Sequence, residues 1–230
     1  MAVPAARLLV AVVPLLACGC ASLYRQPPPN VALFEREGEV QVGGQVGTNG
    51  LGVSAAWAPL PRLGLIAGGW GWKEDDSPER RLEGELGVGT WFADPGGLRG
   101  AVYAGVGLGR VKIRDEMGFD LDLFGEDDPV LDGLLQRGFL QFEAGQVDRY
   151  WGFGAAGRVA AVRFDPEGVA GPGRSALTFE PALFVRGGRG WLQSDLLLGY
   201  RFVARGELPG PHENPVLLSL GIRLVFDGAD

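Results

Sequence analysis

Apolar residues recur at every second position through most of the chain beyond residue 38. The pattern is clearest in the segment 216–226, where the intervening positions include Ser219, Gly221 and Arg223. Because successive side chains of a β-strand point to opposite faces, such a segment has one apolar face and one face that tolerates polar groups. Past the N-terminal segment, the sequence contains no run of about eighteen apolar residues, the length that a membrane-spanning helix requires. The sequence therefore predicts an all-β protein.

Ten segments of the chain carry this alternation. They lie at about residues 38–48, 51–58, 63–72, 80–92, 99–114, 134–147, 151–164, 175–187, 191–204 and 215–226. The connections alternate in length, and every second one is short: 59–62, 93–98, 148–150 and 188–190. The others are longer except at Asn49-Gly50, a dipeptide that favours a tight hairpin turn. Short turns at one end and longer loops at the other are typical of barrels in the bacterial outer membrane.

Each predicted strand has a second face that carries charges and small residues. Glycines suit the confined interior of a narrow barrel, because long side chains would collide across it. The apolar face is then the outer, lipid-facing one, which predicts a ten-stranded antiparallel up-and-down transmembrane β-barrel. Nine charged residues are predicted to point into its lumen: Glu83, Glu85, Glu143, Arg158, Glu180, Arg186, Asp195, Arg201 and Arg223.

These lumen charges include both signs. Buried charges are costly without partners, so we expect ion pairs across the lumen that plug it. The alternative is a polar path for small solutes, which a barrel of only ten strands would keep narrow.

Aromatic residues gather near the ends of the predicted strands. Near one end lie Trp57, Trp91, Phe92, Tyr150, Trp151, Trp191 and Phe226. Near the other lie Trp70, Trp72, Tyr200 and Phe202. Aromatic rings favour the headgroup level of a membrane, so we expect two belts, although the alternation points Trp91 and Trp191 inward.

The N-terminal residues have the composition of an export signal. Arg7 precedes the apolar run 8–17, which predicts a signal peptide over residues 1–17. The sequence Leu15-Leu16-Ala17-Cys18 resembles the lipobox of bacterial lipoproteins, which implies lipidation of Cys18, with Cys20 as the second candidate. An ordinary signal peptide with an incidental cysteine is the alternative.

The proline run Pro27-Pro28-Pro29 favours an extended backbone. We therefore expect residues 18–37 to form a tether between a lipid anchor and the barrel. The barrel is predicted over residues 38–226, and residues 227–230 form a tail.

Two further motifs resemble those of known proteins. Ser219-x-Gly221-x-x-Leu224-x-Phe226 resembles the C-terminal signal by which bacterial outer-membrane barrels are recognised for insertion, which implies a role in assembly for Gly221, Leu224 and Phe226. The run Tyr24-x-x-Pro27-x-x-Asn30-x-x-Leu33-Phe34-x-x-x-Gly38-Glu39 resembles the N-terminal region of a family of small bacterial outer-membrane β-barrel proteins. This second resemblance covers about sixteen residues and implies location rather than activity.

Composition and motifs argue against several functions. A formal net charge of -7 leaves no basic surface for nucleic acid. Both cysteines precede the predicted barrel, so no disulfide framework and no thiolate metal site is expected in it. His212 is the only histidine, and no serine or aspartate is placed to form a catalytic set with it. The acidic segment 115–133 lacks the spacing of an EF-hand. We expect no catalytic residue, metal or cofactor.

The sequence thus predicts a non-enzymatic protein of the bacterial outer membrane with a structural or surface role, or a narrow solute conduit. Its expected partners are outer-membrane lipids and the barrel-assembly machinery. Two alternatives stay open: a soluble ligand-binding barrel tethered by a lipid, and a membrane-embedded hydrolase of lipids or peptides.

Overall fold

The computed structural model describes residues 26–73, 80–114, 130–167, 173–206 and 215–227. Within these ranges the chain forms strands, turns and irregular segments, and none of it is helical. No helix in the described part of the chain is long and apolar enough to cross a membrane. The strands are β1 Val40–Gly47, β2 Gly50–Leu60, β3 Leu63–Lys73, β4 Arg80–Ala93, β5 Leu98–Arg114, β6 Val130–Val147, β7 Trp151–Pro166, β8 Arg174–Arg189, β9 Leu192–Tyr200, β10 Phe202–Gly206 and β11 Val216–Phe226.

The strands close into a barrel. From β1 to β9, each strand pairs antiparallel with the next one in the chain. β11 pairs with β9 on one side and with β1 on the other, where Val40 lies opposite Phe226 and Gly47 opposite Ser219. β9 and the short β10 both pair with β8, so they are two parts of one barrel strand. The predicted closed, ten-stranded antiparallel barrel is confirmed, as is the pairing of its last strand with its first.

The break between β9 and β10 lies opposite a proline. The β8–β9 ladder ends at Ala182 opposite Gly199, and the β8–β10 ladder resumes at Phe179 opposite Phe202. Pro181 lies between them and has no N–H to donate, so a ladder cannot run through it on that side. The backbone N–H of Arg201 instead donates to the carbonyl oxygen of Pro215 at 3.1 Å.

The two ends of the barrel differ in the length of their connections. At one end, which we name the turn end, two to four residues join the strands: 61–62, 94–97, 148–150 and 190–191. At the other, the loop end, the connections are 48–49, 74–79, 115–129, 167–173 and 207–215. The first of these is a tight turn and the other four are longer, in agreement with the alternation expected from the sequence.

The outer surface of the barrel is apolar. Large hydrophobic side chains are exposed on nearly every strand, among them Leu86 at 65%, Val106 at 62% and Ile222 at 61%. On β3 the outward positions are only partly exposed. In the described strands, outward-facing charged side chains occur only near the strand ends, as at Arg80, Arg110 and Asp132. The faces therefore follow the predicted pattern, with the charged face inside.

Most of the exposed aromatic side chains in the described residues form a belt at the turn end. Its members are Trp57, Phe92, Tyr150, Trp151, Phe153, Trp191 and Phe226. At the loop end, Tyr200 and Phe202 have ring centroids 4.6 Å apart, and Phe179 lies 6.3 Å from Phe202.

Trp70 departs from the expected belt, and Trp91 faces inward as the alternation predicts. Trp70 and Trp91 point into the barrel, with 3% and 8% of their surface exposed. Their indole N–H groups donate to the carbonyl oxygens of Asn49 and Leu63, respectively. Trp191, expected to face inward, lies in a turn, where the strand alternation does not apply, and is exposed.

Candidate functional site

The lumen of the barrel contains a segment of the chain itself. Residues 26–34 are all buried, and Val31, Ala32, Leu33 and Phe34 each expose 3% or less of their surface. Residues 18–37 were predicted to form a tether between a lipid anchor and the barrel; residues 26–34 of that stretch instead lie inside the barrel, whereas residues 35–37 are exposed. The reason is physical: the apolar residues that follow the prolines find a buried environment inside. We name residues 26–34 the lumen segment.

Barrel side chains satisfy the backbone of the lumen segment. Glu143 Oε1 accepts hydrogen bonds from the N–H groups of Ala32 at 2.9 Å and Leu33 at 3.1 Å. Arg186 Nη2 donates to the carbonyl oxygen of Val31 at 2.7 Å. A buried backbone group without a partner costs free energy, so these side chains allow an irregular segment to lie inside the barrel.

Asn30 anchors the middle of the segment. Its side-chain Nδ2 donates to the carbonyl oxygens of Ala55 and Ala67, at 2.8 and 3.2 Å, which are paired residues of β2 and β3. Its own carbonyl oxygen accepts from Gln141 Nε2 at 3.0 Å. One asparagine thus connects the segment to two separate parts of the barrel wall, β2–β3 and β6.

The apolar side chains of the segment pack in two clusters. Val31 and Leu33 pack among residues that include Phe184 and Leu217. Phe34 meets Trp91 edge-on, with ring centroids 5.9 Å apart, and belongs to the cluster that contains Tyr103. The contact of Phe34 with Trp91 lies near the turn end, whereas Leu217 lies near the loop end, so the two clusters fill the lumen along its length.

Farther toward the loop end, a carboxylate holds two guanidinium groups. Glu85 accepts from Arg158 through both oxygens, at 3.0 and 3.1 Å, and also from Arg137. Arg158 donates to Gln141 Oε1 at 2.7 Å, and its guanidinium carbon lies 4.5 Å from the centroid of the Phe139 ring. Arg158 is only 1% exposed. The group is therefore a buried, charge-assisted network across the wall from β4 to β7.

A second network lies on the other side of the lumen. Asp195 accepts from Arg186 Nε at 2.6 Å and from Arg223 Nε at 3.0 Å. Arg223 also donates to Gln41 Oε1, and Gln41 Nε2 donates to Glu39 Oε1 at 2.6 Å. The inner face of β11 is thus joined to β1, β8 and β9.

The structure places all nine predicted lumen charges on the inner face. Eight are buried, and Asp195 is partly buried with 21% of its side chain exposed. Among the predicted lumen charges that belong to neither network, Glu180 accepts a hydrogen bond at its Oε1 from the hydroxyl of Thr178 at 2.9 Å. Arg201 is buried and has interactions of its own.

Sequence reasoning missed three members of the site. Arg137 and Arg81 occupy the inward parity of β6 and β4, so counting positions from Glu143 and Glu83 would have found them. Arg81 donates to Glu83 Oε1 at 2.6 Å through its Nε. Asn30 lies outside every strand; the sequence marks it only as part of the motif Tyr24-x-x-Pro27-x-x-Asn30, and that resemblance implies location rather than a contact.

Little space remains around the middle of the lumen segment, whereas an open, polar cavity of about 840 Å³ lies at the turn end, lined by residues that include Glu39, Arg99 and Gln193. A cavity of about 20 Å³ lies beside Pro27, Pro28 and Asn30, near Trp70 and Glu85. That volume suits about one water molecule, whereas pockets for small ligands measure about 300–1,000 Å³. Among the described residues, no group of three or more His, Cys, Asp or Glu is arranged to hold a metal ion.

Several sequence candidates belong to neither network or lie outside the described part of the chain. Cys18, Cys20, His212 and the acidic residues 115–129 lie outside the described residues. Asp132, at the loop end, accepts from Arg110 Nε at 3.0 Å, and this hydrogen bond holds the pKa of its carboxyl below the ordinary value. In β11, Gly221 pairs with Gln45 and Asp195, and Leu224 and Phe226 lie on the outward face.

No protein-family model matches the chain, and no curated protein matches it. The site is therefore interpreted from its own geometry.

Proposed function

We propose that this protein is an integral β-barrel of the bacterial outer membrane whose lumen is sealed and whose role is structural or at the cell surface. The observation that carries the proposal is the outer face, which is apolar around the barrel and charged only near its ends. A soluble monomer rarely exposes a contiguous apolar patch of more than a few hundred Å².

The height of the apolar band fits a bilayer. On β5 it runs from Leu98 to Leu108, ten residue steps, before Arg110 appears. Ten steps measure about 33 Å along a strand, and about 25 Å at the tilt usual for membrane barrels. That is the height of the band such barrels present to lipid. The aromatic belt at the turn end, the C-terminal motif and the long loops at one end support the same assignment.

The filled lumen favours a structural or surface role over a solute conduit. The lumen segment and the two ion-pair networks occupy the space through which a solute would pass. Deep burial of Arg158 and Phe34 leaves no continuous aqueous path beside them in the described residues.

The filled lumen also argues against a soluble ligand-binding barrel. Such a protein needs an enclosed, mostly apolar pocket. The cavity beside the lumen segment is more than tenfold smaller than the usual range, and the cavity of about 840 Å³ at the turn end is open and mostly polar. Its outer face would have to be polar as well.

The purified protein is expected to insert into bilayers without conducting ions. It should float with liposomes through a density gradient containing urea, and planar bilayers that contain it should stay silent under voltage. Deletion of residues 26–34 removes the lumen segment and is expected to produce stepwise conductance. Folding of that variant is checked by its heat-dependent migration on a denaturing gel.

Two results would contradict the proposal separately. Stepwise conductance of the wild-type protein would contradict the sealed lumen. Failure of the folded protein to float with liposomes would contradict its membrane location.

A further inference from the structure

The lumen segment runs through the barrel from one end to the other. It begins at the loop end, where the carbonyl oxygen of Gln26 accepts from Asn49 Nδ2 at 2.8 Å. Asn49 belongs to the tight turn between β1 and β2. A Cβ added to Gly199, near the loop end of β9, would lie 3.2 Å from Gln26 Nε2. Two independent contacts thus fix where the segment enters.

The next residues of the lumen segment contact the barrel wall at positions that lie progressively closer to the turn end. Asn30 binds the middle of β2 and β3 through its side chain. Val31 and Leu33 then bind Arg186 and Glu143, in the halves of β8 and β6 that approach the turn end.

The segment leaves the barrel at the turn end. Glu35 pairs with Arg99, at the start of β5, at 3.0 Å. Arg36 then pairs with Asp227, which directly follows β11. Gln26 and Asp227 therefore lie at opposite ends of the barrel.

The length of the segment fits this crossing. Nine residue steps separate Gln26 from Glu35, and an extended chain of that length spans at most about 30 Å. This is the thickness of the hydrocarbon layer of a bilayer. The segment is therefore long enough to cross an apolar band about 25 Å high.

We propose that the protein is threaded through its own barrel, so that the chain preceding Gln26 is delivered to the outer surface of the cell while the C-terminus stays in the periplasm. The inference rests on the proposed membrane location. The orientation follows from the connections, because short turns of outer-membrane barrels face the periplasm and long loops face outward.

Threading has a consequence for the two cysteines. Cys20 precedes Gln26 by six residues, so it can lie no farther than about 20 Å from the loop end. An acyl chain on Cys18 or Cys20 would then enter the outer leaflet of the membrane rather than the periplasmic leaflet.

Epitope tags on intact cells test the topology. Three versions of the full chain carry the tag immediately before Gln26, in the loop 207–214, or in the turn 94–97. Antibody added to intact cells is expected to label the first two to a similar extent, and to label the third only after the outer membrane is permeabilised.

The outcomes separate the two proposals. If the loop tag is labelled on intact cells and the tag before Gln26 only after permeabilisation, threading is overturned while the membrane location stands. If a carbonate wash releases the protein from membranes, the membrane location fails and the inference fails with it.

Cross-linking gives a second readout that does not depend on the membrane. In a chain with Cys18→Ser and Cys20→Ser, the pair Gln26→Cys and Gly199→Cys is expected to react with a short bismaleimide in the purified protein. The control pair Gln26→Cys and Asp94→Cys, at opposite ends of the barrel, is expected not to react. Reaction of the control pair alone would overturn the direction of threading.

Discussion

Leu86→Arg is expected to destabilise the bilayer-embedded protein by about 2–4 kcal/mol, the cost of an arginine on the lipid face of a membrane barrel near the midplane. Leu86 lies in the middle of the outward face of β4 and is 65% exposed in the isolated chain. The expectation depends on lipid around this face. In water, an arginine at a position so exposed would change the free energy of unfolding little.

The matched control is Leu98→Arg, the same substitution at the edge of the band. Leu98 is the first residue of β5, at the turn end, and is 43% exposed. There the cost is expected to fall to about 0–1 kcal/mol, because arginine reaches the interface. Urea unfolding in liposomes, followed by tryptophan fluorescence, measures both. Equal and small effects at the two positions would contradict a lipid-facing surface.

Glu85→Gln is expected to cost about 3–5 kcal/mol, the penalty for removing one partner of a buried ion pair. The substitution keeps the shape of the side chain but leaves Arg158 and Arg137 without their carboxylate. Arg158 is 1% exposed and Arg137 5%, so water cannot take the place of the lost charge.

The control for this prediction is Glu167→Gln at the loop end. Glu167 pairs with Arg110 at 2.7 Å, but both side chains are 59% exposed. Solvent screens such a pair, so its loss is expected to leave stability nearly unchanged. The same urea titration measures both variants. A loss for Glu85→Gln no larger than that for Glu167→Gln would show that the inner network does not hold the barrel together.

The strands of this barrel were predictable because their signal is periodic. The alternation of apolar and polar residues identified all ten barrel strands. The same alternation placed Glu85, Arg158 and Arg223 on the inward face. Closure was predictable from the even number of strands and the short turns. These features depend on local pattern, which a sequence displays directly.

The lumen segment was not predictable in the same way. Its prolines indicate an extended backbone, which suits a tether outside a barrel as well as a filler inside one. The position of the segment inside the barrel depends on contacts with residues far away in the chain, such as the hydrogen bond from the N–H of Leu33 to Glu143 Oε1. The break at Arg201 was partly predictable, because Pro181 cannot donate to a ladder; which residue lies opposite it depends on the register of the neighbouring strand.

One measurement tests the membrane location most directly. Cells that express the chain with Cys18→Ser and Cys20→Ser, which removes any lipid anchor, are fractionated, and the outer membranes are washed with alkaline carbonate. The protein is expected to stay in the membrane pellet and to migrate differently on a denaturing gel before and after heating. Release into the wash, with no change of migration on heating, would contradict an integral membrane barrel.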